Sequence, residues 1–144
     1  MATTSPHSAG KAGNYMQHAP STSSGVSCQV FPATADQVPA ARRFLATILD
    51  GCAFTGDAVL CLSEIATNAL QHSNSARPGG TFSIRAGFQH GRLRVEVEDE
   101  GGRWEPRPAS DGQRGRGLLI VAALAATWGT SCDGAGARVT WFEI

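Results

Sequence analysis

Two alternating runs, Thr81-Phe82-Ser83-Ile84-Arg85-Ala86-Gly87-Phe88 and Leu93-Arg94-Val95-Glu96-Val97-Glu98, are separated only by Gln89-His90-Gly91-Arg92. Alternation sends every second side chain to the same face of a strand. So tight a connection joins strands that run in opposite directions, because a parallel pair needs a crossover of a dozen residues or more. The pair therefore reads as an antiparallel hairpin. A sheet grown from it needs helices or a second sheet to cover its apolar face.

The rest of the chain supplies helices. Val26-Ser27-Cys28-Gln29-Val30-Phe31 alternates as a first strand and is closed by Pro32. From Asp36 to Leu49 the residues Val38, Ala41, Phe44, Leu45 and Ile48 recur at three and four, predicting a helix that exposes Arg42 and Arg43. Thr55-Gly56-Asp57 suits a helix cap, with Asp57 in the first turn. The helix that follows runs to about Ser73 and buries Leu62, Ile65, Ala66, Ala69 and Leu70. Asn74 to Gly80 is turn chemistry, and Arg103 to Arg114, rich in Pro and charge, is an exposed loop. Gly115-Arg116-Gly117 opens an apolar helix, Leu118 to Leu124. Thr127–Cys132 and Arg138–Ile144 are short strands joined by Asp133-Gly134-Ala135-Gly136. Five strands and three helices in this order predict an α+β domain: a two-layer sandwich with a mixed, mostly antiparallel sheet and the helices on one face.

Composition narrows the function. The 144 residues fit one domain, 42% apolar and 17% charged. Residues 1–25, built from Ser, Thr, Ala, Gly, Pro and His, read as a disordered tail ahead of a domain spanning 26–144. Twelve basic residues balance twelve acidic ones, so no net field recruits nucleic acid or an anionic membrane. Lys11 is the one lysine; the other basic residues are arginines, whose fork suits carboxylate or phosphate. The scattered Cys28, Cys52, Cys61 and Cys132 form no metal-ligand pair and no disulfide framework. No apolar run approaches the roughly 20 residues that span a bilayer, and no secretory signal opens the chain. A cytoplasmic protein with reduced thiols is expected.

Three polar features carry the chemistry. Glu64 and Asn68 are four apart, which places a carboxylate and a carboxamide side by side on one helix. Asp99-Glu100-Gly101-Gly102 ends a strand. Gly115-Arg116-Gly117 precedes a helix, where free N–H groups favour anions and glycine lets a ligand approach. Taken singly, each has an ordinary explanation: a solvated helix stripe, a turn with a left-handed glycine, a helix start. Their order is harder to dismiss.

Glu64-x-x-x-Asn68, Asp99-x-Gly101-Gly102 and Gly115-x-Gly117-Leu118 together resemble the N, G1 and G2 boxes of the gyrase–histidine kinase–MutL ATPases, which share the Bergerat fold. The resemblance covers roughly residues 26–144. The short form is most similar to the anti-sigma-factor serine/threonine kinases. It implies that Asn68 ligates Mg²⁺, that Glu64 is the general base for an attacking hydroxyl, and that Asp99 accepts from the amino group of adenine. Gly101 and Gly102 would let the base lie near the backbone, and Gly115, Gly117 and Leu118 would form the phosphate side of an ATP pocket. The Arg103–Arg114 loop would be a lid, with Arg103, Arg107, Arg114 and Arg116 available to phosphate charge.

The pattern departs from the family in two places. The lid is short and holds no clear helix. Where relatives place a threonine on the last strand to hold adenine through water, this chain has Val139; Thr140 is its neighbour and Thr130 an alternative. His72 is expected to pack at its helix end, Trp128 and Trp141 to pack, and Trp104 to be the most exposed of the three tryptophans.

By resemblance the chain is an ATP-dependent serine/threonine kinase and anti-sigma factor. It would bind a sigma factor, phosphorylate a small antagonist protein, and have a homodimer among its assemblies. A nucleotide-binding interaction module without kinase activity is the alternative. An orphan histidine-kinase domain fits less well, since His7, His18, His72 and His90 lie in the wrong contexts for a phospho-acceptor. Nucleic-acid binding fits least.

Overall fold

His90 (φ 51°) and Gly91 (φ 79°) are both left-handed, the conformation that a two-residue turn needs if it is to match the twist of its strands. They join β2 (Thr81–Gln89) to β3 (Arg92–Asp99) in the antiparallel register Phe82↔Asp99 to Gln89↔Arg92. The computed structural model of the protein describes residues 25–102 and 116–144. Around the hairpin stand β1 (Ser27–Pro32), α1 (Gln37–Ile48), α2 (Thr55–His72), a 3-10 turn at Asn74–Ala76, α3 (Gly117–Leu124), β4 (Thr127–Cys132) and β5 (Arg138–Glu143). Residues 1–24 of the expected tail and the Arg103–Arg114 loop lie outside the described residues.

The five strands form one sheet in the order β1-β2-β3-β5-β4, and each pairing is antiparallel. No parallel pair occurs among the described strands, so the mixed option is not taken. Hairpins join β2 to β3 and β4 to β5, while the helical segments are inserted between antiparallel neighbours. One face of the sheet is apolar: Phe31, Phe82, Ile84, Ala86, Leu93, Val95, Val97 and Phe142 are buried and fall opposite one another in the register. The helices cover that face with Ala41, Leu45, Ala58, Cys61, Leu62, Ile65, Ala66, Ala69 and Val121. Phe31 stacks on Phe82 at 5.4 Å and meets Phe44 of α1 edge-on at 6.0 Å, tying the first helix to the sheet. The opposite face is polar, with Arg94 bridging Glu96 and Glu143 at 2.8 and 2.9 Å while lying 4.1 Å from the Trp141 ring centroid.

Local corrections follow from hydrogen bonding. Thr55 is the first residue of α2 and does not cap it: its hydroxyl donates to the carbonyls of Leu49 and Cys52, both at 2.8 Å, closing the turn from α1. His72, expected to pack, is exposed as the last residue of α2. Trp141 is half-buried and Trp128 is 37% exposed; Trp104 lies outside the described residues. No described helix is long and apolar enough to cross a membrane.

Candidate functional site

Helix α2 forms the wall of the site. Its apolar stripe (Cys61, Leu62, Ile65, Ala66, Ala69) is buried against the sheet, and this orientation leaves Glu64 and Asn68 half-buried at the edge of the packed face. The hydroxyls of Ser63 and Thr67 are absorbed by the helix itself, donating to the carbonyls of Val59 and Ser63 at 2.7 Å each. Glu64 and Asn68 make no side-chain hydrogen bond to any described residue, so of the polar groups here they are the pair left to meet a ligand.

The first turn of α3 comes against Glu64. A Cβ on Gly117 would lie 2.6 Å from Glu64 Oε2, so only glycine allows this approach without moving the carboxylate. Gly117 begins the helix, Arg116 stands exposed at its N-cap, and Leu118 packs against the core. The N–H groups of that first turn have no intrahelical acceptor, which suits an anion. Gly115 lies outside the described residues.

Just past the C-terminal end of α2 the Asp99–Gly102 turn is clamped onto Asn74 and Ser75. The Glu100 N–H donates to Ser75 Oγ at 2.9 Å and the Asn74 N–H donates to the Gly101 carbonyl at 2.6 Å. Ser75 is fully buried. Gly101 (φ 65°) and Gly102 (φ 115°) are left-handed. A Cβ on Gly101 would collide with the Gly136 carbonyl, and one on Gly102 would meet Asn74 Oδ1 at 2.8 Å. Asn74 and Ser75 were read from sequence only as turn formers; a Ser-Asn-Ser run after a helix does not reveal that it holds a turn 25 residues downstream.

Asp99 is 4% exposed. Its Oδ1 accepts from the Gly101 N–H at 2.8 Å, and its Oδ2 accepts from Arg138 Nε at 3.1 Å and Nη2 at 2.9 Å. Arg138, also buried, was missed as a site residue. The register explains both the omission and a correction on the last strand. Arg138 lies opposite Asp99 and Thr140 opposite Val97, while Val139 lies opposite Glu98. Directly opposite residues share a face, so Thr140, and not Val139, stands on the Asp99 side; Val139 faces away from the helices. Thr130 is opposite Thr140, with the two hydroxyls 3.4 Å apart. Burial of Phe142 fixes the parity of the strand, and Thr140 and Arg138 share it; the sequence carries no signal for it, since Val139 and Trp141 make the other parity apolar too.

The site therefore presents a carboxylate and a carboxamide on one helix, a helix start with no Cβ beside the carboxylate, and a second, buried carboxylate beside a glycine turn. The sequence profile of the histidine kinase-like ATPase domain matches residues 31–141. The chain belongs to the histidine kinase-like ATPase domain family. Its fold is the ATP-binding fold of that family. Among solved structures, a crystal structure of the RsbU and RsbW domains of a Mycobacterium tuberculosis protein is similar, with a TM-score of 0.61 and 21% identity over 81% of this chain. This histidine kinase-like ATPase domain spans 32% of the length of that structure. No curated protein matches the sequence.

The residues present fit a nucleotide with a hard cation. Among the described residues no three His, Cys, Asp or Glu side chains gather at one point. A cation here would rest on the neutral oxygen of Asn68, with phosphate oxygens and water completing the shell, as magnesium prefers. Gly117 beside Glu64 in the middle of α2, and Gly101 and Gly102 beyond its C-terminal end, supply the close backbone approach that a base and a phosphate chain need.

Proposed function

We propose that this chain is an ATP-dependent serine/threonine protein kinase and anti-sigma factor in a partner-switching system. It holds a sigma factor, and phosphorylates a small antagonist protein to escape inhibition. The observation that carries the reading is the placement of Glu64 against Gly117, with Asn68 one turn along α2 and no described residue bonding either side chain. A carboxylate at the head of a phosphate-binding helix is where a general base for a protein hydroxyl belongs. Bound ATP with Mg²⁺ supplies the transferable phosphoryl group and neutralises its charge.

The chain's own residues do the rest. Asp99 receives the adenine amino group, Gly101 and Gly102 keep side chains out of the base's path, and the first turn of α3 offers N–H groups to the phosphates. Asn68 holds the cation, and Glu64 orients or deprotonates the incoming serine or threonine. The likeness to a structure containing an RsbW domain supports the regulatory setting. Residues 26–144 are the working unit, residues 1–25 a tail without a role in the chemistry, and the setting is the cytoplasm, with a homodimer as the assembly.

The test is incubation with labelled ATP, Mg²⁺ and small antagonist proteins from the same genome. Transfer to Ser or Thr is expected with the wild type and is lost with Glu64→Ala, about 10²-fold or more for a general base, while ATP binding persists. If ATP binds and no antagonist accepts phosphate, the kinase reading fails and a nucleotide-dependent binding module remains.

A further inference from the structure

The Asp99–Arg138 pair has an edge that the established pattern does not use. A carboxylate offers about four acceptor positions and a guanidinium five donors. Asp99 spends one position on the Gly101 N–H and two on Arg138, which leaves one. Arg138 uses Nε and Nη2, and its Nη1 has no hydrogen-bond partner among the described residues. Both side chains are buried, at 2% and 10% exposure, so a group that met their remaining valences would do so largely withdrawn from water. The pair thus displays an acceptor beside a charged donor, on the face of the sheet that the helices cover.

Adenine has the complementary edge: an exocyclic amino donor next to a ring nitrogen, N1, that accepts. We propose that Arg138 is a base-specificity residue, donating directly to adenine N1 while Asp99 receives the neighbouring amino group. The argument rests on the nucleotide-binding reading above and adds to it a ligand for N1. The direct donor also accounts for the last strand: with a guanidinium opposite Asp99, a threonine holding water is not needed, and Thr140 lies two residues further along the strand on the same face. Arg138 has a second duty, keeping the buried Asp99 carboxylate paired, and the experiment has to separate the two.

The separation comes from a cycle between a side chain and one atom of the ligand. Calorimetric affinities of the full chain are measured for ATP, 1-deaza-ATP, in which N1 is replaced by C–H, and 7-deaza-ATP as a control. Wild type is expected to lose about 10-fold or more with 1-deaza-ATP, the scale of one hydrogen bond to a charged group, and little with 7-deaza-ATP. In Arg138→Met the preference for ATP over 1-deaza-ATP is expected to collapse toward one, even though both nucleotides bind more weakly. An equal preference in wild type and variant overturns the proposal and leaves Arg138 as a positioning residue for Asp99. Should Arg138→Met not fold, Arg138→Lys keeps a charge for Asp99 without the second fork; a preserved preference there overturns the proposal and a reduced one supports it. A folded wild type that binds no ATP sinks the nucleotide reading itself, an outcome distinct from binding without N1 preference.

Discussion

Gly117 at the head of α3 and Glu64 of α2 are so close that a single added carbon on the glycine would lie 2.6 Å from the carboxylate oxygen. The atom in the way is the far end of a flexible side chain, so Gly117→Ala should push the carboxylate aside without breaking the fold. Alanine also favours the helix by up to about 1 kcal/mol over glycine. The expected result is a melting temperature near that of the wild type, with phosphoryl transfer reduced about 10-fold or more by the displaced base. Thermal unfolding together with a labelled-phosphate assay checks both parts; a variant that transfers phosphate at the wild-type rate would remove Glu64 from the chemistry.

Asn68 separates nucleotide binding from metal binding. With no described side chain bonded to it, Asn68→Ala leaves no orphaned partner and should fold normally. Its ATP affinity in a chelator should equal the wild type's, whereas the gain that Mg²⁺ brings should shrink until the two affinities differ by a factor of about one. Titrations with and without Mg²⁺ read this directly. An undiminished magnesium gain would place the cation elsewhere.

The glycine turn should be the least forgiving part of the site. Gly101 has φ 65°, and its missing Cβ points at the Gly136 backbone, which cannot swing away as a side chain can. Gly101→Ala should cost about 2–4 kcal/mol, the scale of a strained left-handed residue with a backbone clash. Ser75→Ala removes the acceptor for the Glu100 N–H, about 1–3 kcal/mol if that group is left without water. Chemical denaturation should rank Gly101→Ala below Ser75→Ala, with ATP affinity falling in both. Equal stability of Gly101→Ala and wild type would contradict the observed turn.

Cys61 gives the fold a pH dependence. Burial, joined by the carboxylates of Asp57 and Glu64, pushes its thiol from an ordinary 9.0 up to about 11. A thiol whose folded pKa is raised costs nothing below the unfolded value; as pH climbs from about 9 toward 11 the unfolded chain loses its proton first, and stability falls. Cys61→Ala should flatten this part of the profile when denaturant midpoints are followed from neutral to alkaline pH. At neutral pH an alkylating reagent should label the exposed Cys28 and Cys132 while leaving Cys61 untouched until the chain unfolds. Labelling of Cys61 in the native protein would show the core to be open there.

Much of the fold was legible because its signals are local. The alternation around His90-Gly91, the three-and-four recurrence in α1 and α2, and the glycine-framed start of α3 each depend on residues close in sequence, and the observed elements fall within a residue or two of those expectations. Glu64 and Asn68 were legible for the same reason, since helical spacing alone puts them side by side. The pairing of Asp99 with Arg138 was not. It depends on which residue of β5 lies opposite the end of β3, and a slip of one position would have exchanged Arg138 and Thr140 for Val139 on that face. Both parities of Arg138–Glu143 hold apolar residues, so the pattern alone could not choose between them; burial of Phe142 against α2 and the sheet did. The clamp of Ser75 on Glu100 and the approach of Gly117 to Glu64 are likewise contacts between elements far apart in the chain. Sequence determined which groups the protein has and how its helices and hairpins arrange them locally. Packing of α2 and α3 onto one face of the sheet decided which of those groups meet.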